Sequence, residues 1–535
     1  MDYITISRPS PANENIQHQA LRPNAFMTRI SLLAPVLLMV ACASGEPPLP
    51  QADASFCRTI HRDTAMHLAV QLHAVDSLMA RSTGVFVLEE GDAALVTRAW
   101  LSEYAEHAID VQYFIFSADN VGLIAVDYLL RAADRGVRVR VLVDDLLVES
   151  DANALIALDS HPNVEVRIYN PGVNIGKTLS GKLAAFARDF RGANQRMHNK
   201  TFTVDGRIVI TGGHNIADEY FDYDHEYNFR DRDVLLLGGV VTTVQRSFEE
   251  YWTNPLSHPV SALVKPTGAQ LRDSVFIQRV HGYACDLRNY WPQVRARVQA
   301  IPAEFARIQA SGALVWLDSV HFVYDVPGKN DGRAGLGGGG VALDTLMQLV
   351  RDARTSIDIQ SPYLITTTRG RSLLRDAVAR GVRVRILTNS LASTDNLEAF
   401  SGYARDRDAL LETGARIFEV RPDARARLTI MTGSLQGTLQ RPPIFGLHAK
   451  SMVIDGHITV VGTFNMDPRS ANLNTECVTI IYSDNVAAGV GRRMEEEFGP
   501  ANAWETTRSA NPDGHASGRK RMRAWFRRVV PKAVL

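Results

Sequence analysis

One spacing occurs twice in this chain: His, one residue, Lys, four residues, Asp, six residues, Gly, two residues, Asn. The first copy is His198, Lys200, Asp205, Gly212 and Asn215; the second is His448, Lys450, Asp455, Gly462 and Asn465. On an extended strand positions i and i+2 share a face, so each imidazole projects beside its own ammonium. If the two copies meet in one cleft, two lysines and two asparagine amides are placed to bind the non-bridging oxygens of a phosphodiester. The same donors suit the extra charge of its pentacoordinate transition state. One imidazole can attack phosphorus, giving a phosphohistidine, while the other protonates the leaving alcohol and later deprotonates the incoming alcohol or water. The spacing does not fix which histidine takes which part. Each ring needs a carboxylate to set its tautomer. Asp231, in Phe229-Arg230-Asp231-Arg232-Asp233, and Glu476, in Asn474-Thr475-Glu476-Cys477, follow the two templates, with Asp233 competing for the first role. Asp205 and Asp455 complete the catalytic motif, but each precedes a glycine in a turn and is assigned structural duty. No metal and no cofactor are expected, because zinc-type ligand sets are absent and lysine is a poor ligand.

The elements around the motifs are duplicated as well. Ile109-Asp110-Val111-Gln112 returns as Ile357-Asp358-Ile359-Gln360, and Gly136-Val137-Arg138-Val139-Arg140-Val141 as Gly381-Val382-Arg383-Val384-Arg385-Ile386, each about 245–250 residues later. Each copy reads as a buried strand (109–116; 357–365), a helix (123–134; 372–380) stopped by Gly136 or Gly381, and a β-branched strand (137–143; 382–387). That is a βαβ unit. The HxK block follows on a strand pair with Asp205-Gly206 or Asp455-Gly456 as its tight turn. The predicted fold is α/β: two tandem repeats, mixed sheets flanked by helices, related by a pseudo-twofold with the active site between them. The predicted segments are a leader (1–43), repeat 1 (44–255), a less regular inter-repeat stretch (256–330), repeat 2 (331–505) and a basic tail (506–535).

The paired HxKxxxxD motifs resemble the signature of the phospholipase D superfamily. Arg196-Met197-His198-Asn199-Lys200, the stretch Gly212–Tyr220, Tyr251-Trp252 and Asp325-Val326-Pro327-Gly328-Lys329 are similar to its bacterial cardiolipin synthase C-like branch. The resemblance spans about residues 70–535. It implies phospholipase D-like repeats and a metal-independent, two-step mechanism through phosphohistidine. It also implies phospholipid substrates, with phosphatidylglycerol and phosphatidylethanolamine expected, and cardiolipin synthesis by transphosphatidylation. A hydrolytic phospholipase D, a phosphodiesterase or endonuclease, and an inactive membrane scaffold are the alternatives. Thr463 stands where the first copy has Gly213; both are read as small enough for the turn.

Arg29, the apolar run Ile30–Ala43 and the small residue before Cys42 have the layout of a secretory signal with a lipidated cysteine. This predicts a bacterial envelope protein anchored by an N-terminal lipid at Cys42 and facing the periplasm. A peripheral protein on the cytoplasmic face is the alternative for location, and a short buried helix for the apolar run. In an oxidising compartment Cys57, Cys285 and Cys477 allow one disulfide in three pairings, or buried thiols. The chain holds 58 Lys+Arg against 58 Asp+Glu, which disfavours bulk nucleic-acid binding. That balance is uneven: 519–535 carries seven basic residues and no acid, with Met522, Trp525, Phe526 and Val529 interleaved. The tail suits a membrane surface of anionic lipid, or else a solvated end helix packing Trp525 and Phe526 on the body. Gly335-Leu336-Gly337-Gly338-Gly339-Gly340 fits GxGxxG, but no strand leads into it, so a loop is expected. His214 and His225 are read as polar loop histidines near the cleft. The long stretches 173–195 and 428–444 are candidates for a lipid entrance.

Overall fold

Many of the strands are rich in β-branched residues, and some end at a glycine, as at Gly212, Gly238 and Gly462. In chain order the strands are β1 (Thr83–Leu88), β2 (Ala108–Tyr113), β3 (Arg138–Asp144), β4 (Val164–Tyr169), β5 (Thr201–Val204), β6 (Ile208–Gly212), β7 (Tyr227–Arg230), β8 (Asp233–Gly238), β9 (Ser257–Pro259) and β10 (Val315–Leu317). They continue as β11 (Val320–Tyr324), β12 (Ser356–Gln360), β13 (Arg383–Asn389), β14 (Arg416–Val420), β15 (Ile444–Leu447), β16 (Ser451–Ile454), β17 (Ile458–Gly462), β18 (Cys477–Tyr482) and β19 (Ala503–Thr506). This computed structural model describes residues 54–60, 67–147, 153–172, 174–175, 190–264, 274–329, 335–430 and 443–535. Cys42 and most of the 173–195 and 428–444 stretches therefore lie outside the described residues.

The first sheet has the order β10-β1-β8-β6-β5-β2-β3-β4-β9, and the second β11-β18-β17-β16-β12-β13-β14-β19. Aligning β1 with β11 matches them strand for strand, with β10 added to the first. In each, the β2-β3-β4 or β12-β13-β14 ladder is parallel and its flanking pairs are antiparallel. The expected βαβ units are present, with helices Asn120–Asp134 and Thr368–Ala379 as crossovers. Asp119 and Thr367 cap their N-termini, accepting from Gly122 N and Gly370 N. Gly136 (φ 94°) and Gly381 (φ 88°) stop them in the left-handed conformation. The stretch between the repeats contributes β9 and β10 to the first sheet and β11 to the second, and carries helices such as Ser274–Ala284.

Each repeat has its own core. A third apolar cluster joins them inside a single compact unit: Val209, Val234, Leu236 and Val241 pack with Phe322, Val461, Ile481 and Val490. Burying such side chains contributes roughly 1.5–3 kcal/mol each, which holds the two repeats together as one body. A disulfide links Cys57 to Cys285, and Cys477 is a buried thiol.

Candidate active site

The site is assembled by backbone pairing across the repeats. Strand β15 of the second repeat lies parallel to β7 of the first, with Leu447 opposite Arg230. The amides of His448 and Ala449 both donate to Arg230 O, at 2.8 and 2.9 Å. In the other half Met197 makes a parallel bridge to Thr475, and His198 N donates to Thr475 O at 3.0 Å. In both places the next residue on one chain segment is a histidine and the next on the other is a carboxylate. His198 Nδ1 is 2.8 Å from Glu476 Oε2, and His448 Nδ1 is 2.5 Å from Asp231 Oδ2. The carboxylates thus cross over: each ring is oriented by the opposite repeat. The motifs sit just ahead of β5 and β16 rather than within them, because the histidine amides are spent on these cross-repeat bonds.

All four side chains are buried: His198 6%, His448 5%, Lys200 1% and Lys450 4% exposed. Burial lowers the imidazole pKa of His198 to about 4, opposed by Glu476 and assisted by Lys200. Burial and then Lys450 lower that of His448 to about 3, against Asp231. Both rings are therefore neutral at pH 7, donating Nδ1–H to carboxylates whose own pKa these contacts hold low despite burial. Among the described residues Nε2 of neither ring has a hydrogen-bond partner, so it is the nitrogen left for chemistry. Phe114 stands edge-on to His198, and Tyr220 and Phe229 pack on His448. These aromatic walls exclude water from the rings.

Lys200 Nζ donates to His198 O at 2.8 Å, and Lys450 Nζ donates to His448 O. Desolvation lowers their pKa values to about 8 and about 7; nearby carboxylates, Glu476 for Lys200 and Asp231 for Lys450, oppose it. Asn215 Oδ1 accepts from Ile115 N at 3.1 Å, leaving its buried Nδ2 without a protein partner, and Asn465 Oδ1 is likewise unpaired. An amide's two ends exchange by a flip, so each asparagine offers one unspent polar atom. An unpaired buried amide is costly without a ligand.

The remaining expected residues fall elsewhere. Asp205 (φ 52°) and Asp455 (φ 54°) lie in their turns. The Asp205 carboxylate accepts from the amides of Glu106, His107 and Ala108, and that of Asp455 from Arg354, Thr355 and Ser356. They pin the turn of each HxK hairpin to the start of β2 or β12 and touch neither imidazole. Asp233, the competitor of Asp231, pairs with Arg98 at 2.6 Å and with His214 at 3.1 Å instead. His225 stands edge-on to Trp291. The glycine run 335–340 is a loop leading into helix Val341–Asp352, and at Gly340 a Cβ would meet Asp325 Oδ1 at 2.5 Å.

Asp325 holds a positioning role that reading the motifs one by one missed. It accepts from Glu476 N (3.1 Å), Ala342 N and Lys329 Nζ (2.8 Å), and its own amide donates to Glu476 O. The run Asp325–Lys329 was visible in the sequence, but nothing local ties it to Glu476. On the other side Arg230 pairs with Glu89 and Glu497, and Arg232 with Glu89 and Gln360, so the residues flanking Asp231 are clamped by both repeats.

Two pseudo-symmetric α/β repeats thus bring two His–carboxylate pairs, two lysines and two asparagine amides into one site. The family model described as "Cardiolipin synthase, PLD-like domain" matches residues 102–252 and 346–498. The chain is 34% identical over 423 residues to cardiolipin synthase C of Escherichia coli, covering 79% of this chain and 86% of that protein. It is 26% identical to cardiolipin synthase 1 of Bacillus cereus, over 78% of this chain and 67% of that one. The chain belongs to the cardiolipin synthase family of phospholipase D-like proteins. The crystal structure of a phosphatidylserine synthase from Haemophilus influenzae shares the fold, with TM-score 0.56 and 14% identity, over 87% of this chain and all of that one.

Proposed function

We propose that this protein makes cardiolipin by transphosphatidylation between two phospholipids, phosphatidylglycerol with phosphatidylglycerol or phosphatidylethanolamine. It is an enzyme of the phospholipase D type, a phosphatidyltransferase. The observation that carries the reading is the crossed pair of histidine–carboxylate contacts, which leaves two Nε2 atoms available beside two lysines and two open amides.

In the first step Nε2 of one imidazole bonds to phosphorus. The P–O bond to the leaving headgroup alcohol breaks, and that oxygen takes a proton from the other imidazole. The anionic substrate favours the imidazolium needed for this donation, because it brings negative charge into a desolvated site. In the second step the hydroxyl of the second lipid gives its proton to that same ring. Its oxygen bonds to phosphorus, and the P–N bond breaks. Lys200, Lys450, Asn215 and Asn465 hold the non-bridging oxygens throughout. Aromatic walls around the rings support transfer to a lipid alcohol over transfer to water.

We place the protein in the bacterial envelope, anchored through Cys42 and facing the periplasm; the Cys57–Cys285 disulfide supports an oxidising compartment. No helix among the described residues is long and apolar enough to cross a membrane.

The test is to incubate the purified protein with phosphatidylglycerol, with and without phosphatidylethanolamine, and identify the products by mass spectrometry. Cardiolipin is expected, falling about 10⁴-fold or more in His198→Ala and in His448→Ala. Phosphatidic acid as the sole product contradicts synthesis, and cleaved DNA beside untouched lipid contradicts a lipid substrate altogether.

A further inference from the structure

The C-terminal segment shows an apolar face that the body leaves uncovered. Eight large hydrophobic side chains stand exposed among the described residues, and four of them are Met522, Trp525, Phe526 and Val529. They lie on helix Gly518–Phe526 and the turn after it, where Ala524 is the buried side chain. The alternative of an end helix packing Trp525 and Phe526 on the body is not met: both are 60% exposed.

The segment is nonetheless fixed. Arg405 donates to the carbonyls of Arg528 and Val530 at 2.9 Å. Lys532 pairs with Asp406, and Leu535 is buried with Ile365 and Ala399. Lys520 Nζ donates to the carbonyls of Ala392 and Thr394. The tail is thus held by its backbone, its two lysines and its last residue, which turns the apolar side chains outward. Arg519, Arg521, Arg523 and Arg528 are exposed around them, with no carboxylate in ion-pair reach among the described residues.

The face also borders the active site. Lys520 holds the carbonyl next to Asp395, whose carboxylate accepts from Tyr363 Oη at 2.8 Å and acts on Lys450. A polar cavity of about 540 Å³, lined by Tyr227, Asp395, Lys520, Arg523 and Arg527 among others, separates the helix from β7, the strand that leads into Asp231.

We infer that Met522–Val529 is the face by which the protein sits on an anionic phospholipid leaflet, with Trp525 and Phe526 in the interface and the free arginines on headgroup phosphates. The inference rests on the lipid-substrate reading above and says how such a substrate meets the cleft. Charge complementarity selects the occupant: interfacial aromatics inside a ring of unpaired arginines match an anionic bilayer surface.

Tryptophan emission reports this directly, because Trp525 is the one exposed tryptophan; the other five are buried or half-buried. The full-length chain is mixed with vesicles of phosphatidylglycerol brominated in its acyl chains. Emission should drop, and the drop should vanish in Trp525→Phe. Replacing Arg521 and Arg528 by Gln should weaken vesicle affinity about fivefold per arginine. Equal quenching in Trp525→Phe, or equal quenching on brominated phosphatidylcholine, overturns the inference. A parallel assay on dispersed short-chain phosphatidylglycerol separates it from the proposed function. Turnover without quenching refutes the surface alone; quenching without turnover leaves the surface standing and refutes the enzyme reading.

Discussion

In the half of the site that serves His448, the carboxylate is the short Asp231, and Gly213 lies directly against it. A Cβ on Gly213 would fall 1.8 Å from Asp231 Oδ1. In the half that serves His198, the carboxylate is the longer Glu476, and Thr463 stands where Gly213 would be. Thr463 Oγ1 donates to Glu476 Oε2, and Ser470 Oγ donates to Oε1 at 2.7 Å. One methylene in the acid is matched by a whole side chain in the turn. The same exchange recurs a layer deeper. Arg98, Asp233 and His214 form a buried charged cluster in repeat 1; Leu346, Val478 and Phe464 hold the equivalent places in repeat 2. The space there is about 20 Å³ in repeat 1 and about 90 Å³, lined mostly by apolar residues, in repeat 2. Buried ions persist only with their partners, so this cluster changes as a set or not at all.

The largest effect should come from exchanging the turn residues. Gly213→Thr has no room beside Asp231, must displace that carboxylate from His448, and is expected to lower kcat about 10³-fold or more. Thr463→Gly removes one hydrogen bond to a charged group, worth roughly 1.5–3 kcal/mol, and should lower kcat about tenfold. If the two variants fall equally, the asymmetry is not what holds the carboxylates. Next comes the buried cluster. Asp233→Val strands Arg98 and should cost about 3–5 kcal/mol in denaturant unfolding, whereas adding Arg98→Leu and His214→Phe should recover most of it. A triple variant as unstable as the single one breaks the comparison.

The smallest expected effect is on pH dependence. If both ammoniums hold the phosphate, as proposed, kcat/KM should fall as pH rises through about 7, where Lys450 deprotonates before Lys200 at about 8. On the acid side it should fall between about pH 4 and about pH 3, as the imidazole that attacks phosphorus, His198 or His448, gains its proton. Asp231→Asn removes the charge that most supports the Lys450 ammonium, so the alkaline limb should move to lower pH. Glu476→Gln acts mainly on Lys200, which titrates later, and should move that limb less.

Much of this site was legible in the sequence because it is written twice. A lone HxK means little, but His198, Lys200 and Asn215 returning as His448, Lys450 and Asn465 in register required two facing halves. Asp231 and Glu476 were recognisable as partners by chemistry. That they cross was not legible, since it depends on β7 meeting β15 and Met197 meeting Thr475, segments hundreds of residues apart with no local mark of pairing. The turn tolerates both Gly213 and Thr463, as expected; that each also fits the carboxylate behind it was not legible, for a related reason. Cys57–Cys285 could not be chosen from three pairings, because it depends on where helix Ser274–Ala284 packs.

The crossing itself is most directly tested by proton NMR of the protein with ¹⁵N-labelled histidine. Two downfield Nδ1–H resonances are expected, assigned by their loss in His198→Gln and His448→Gln. Glu476→Gln should shift or remove the His198 signal and spare that of His448, and Asp231→Asn should do the reverse. The opposite pattern, with each carboxylate acting on the histidine of its own repeat, would contradict the account.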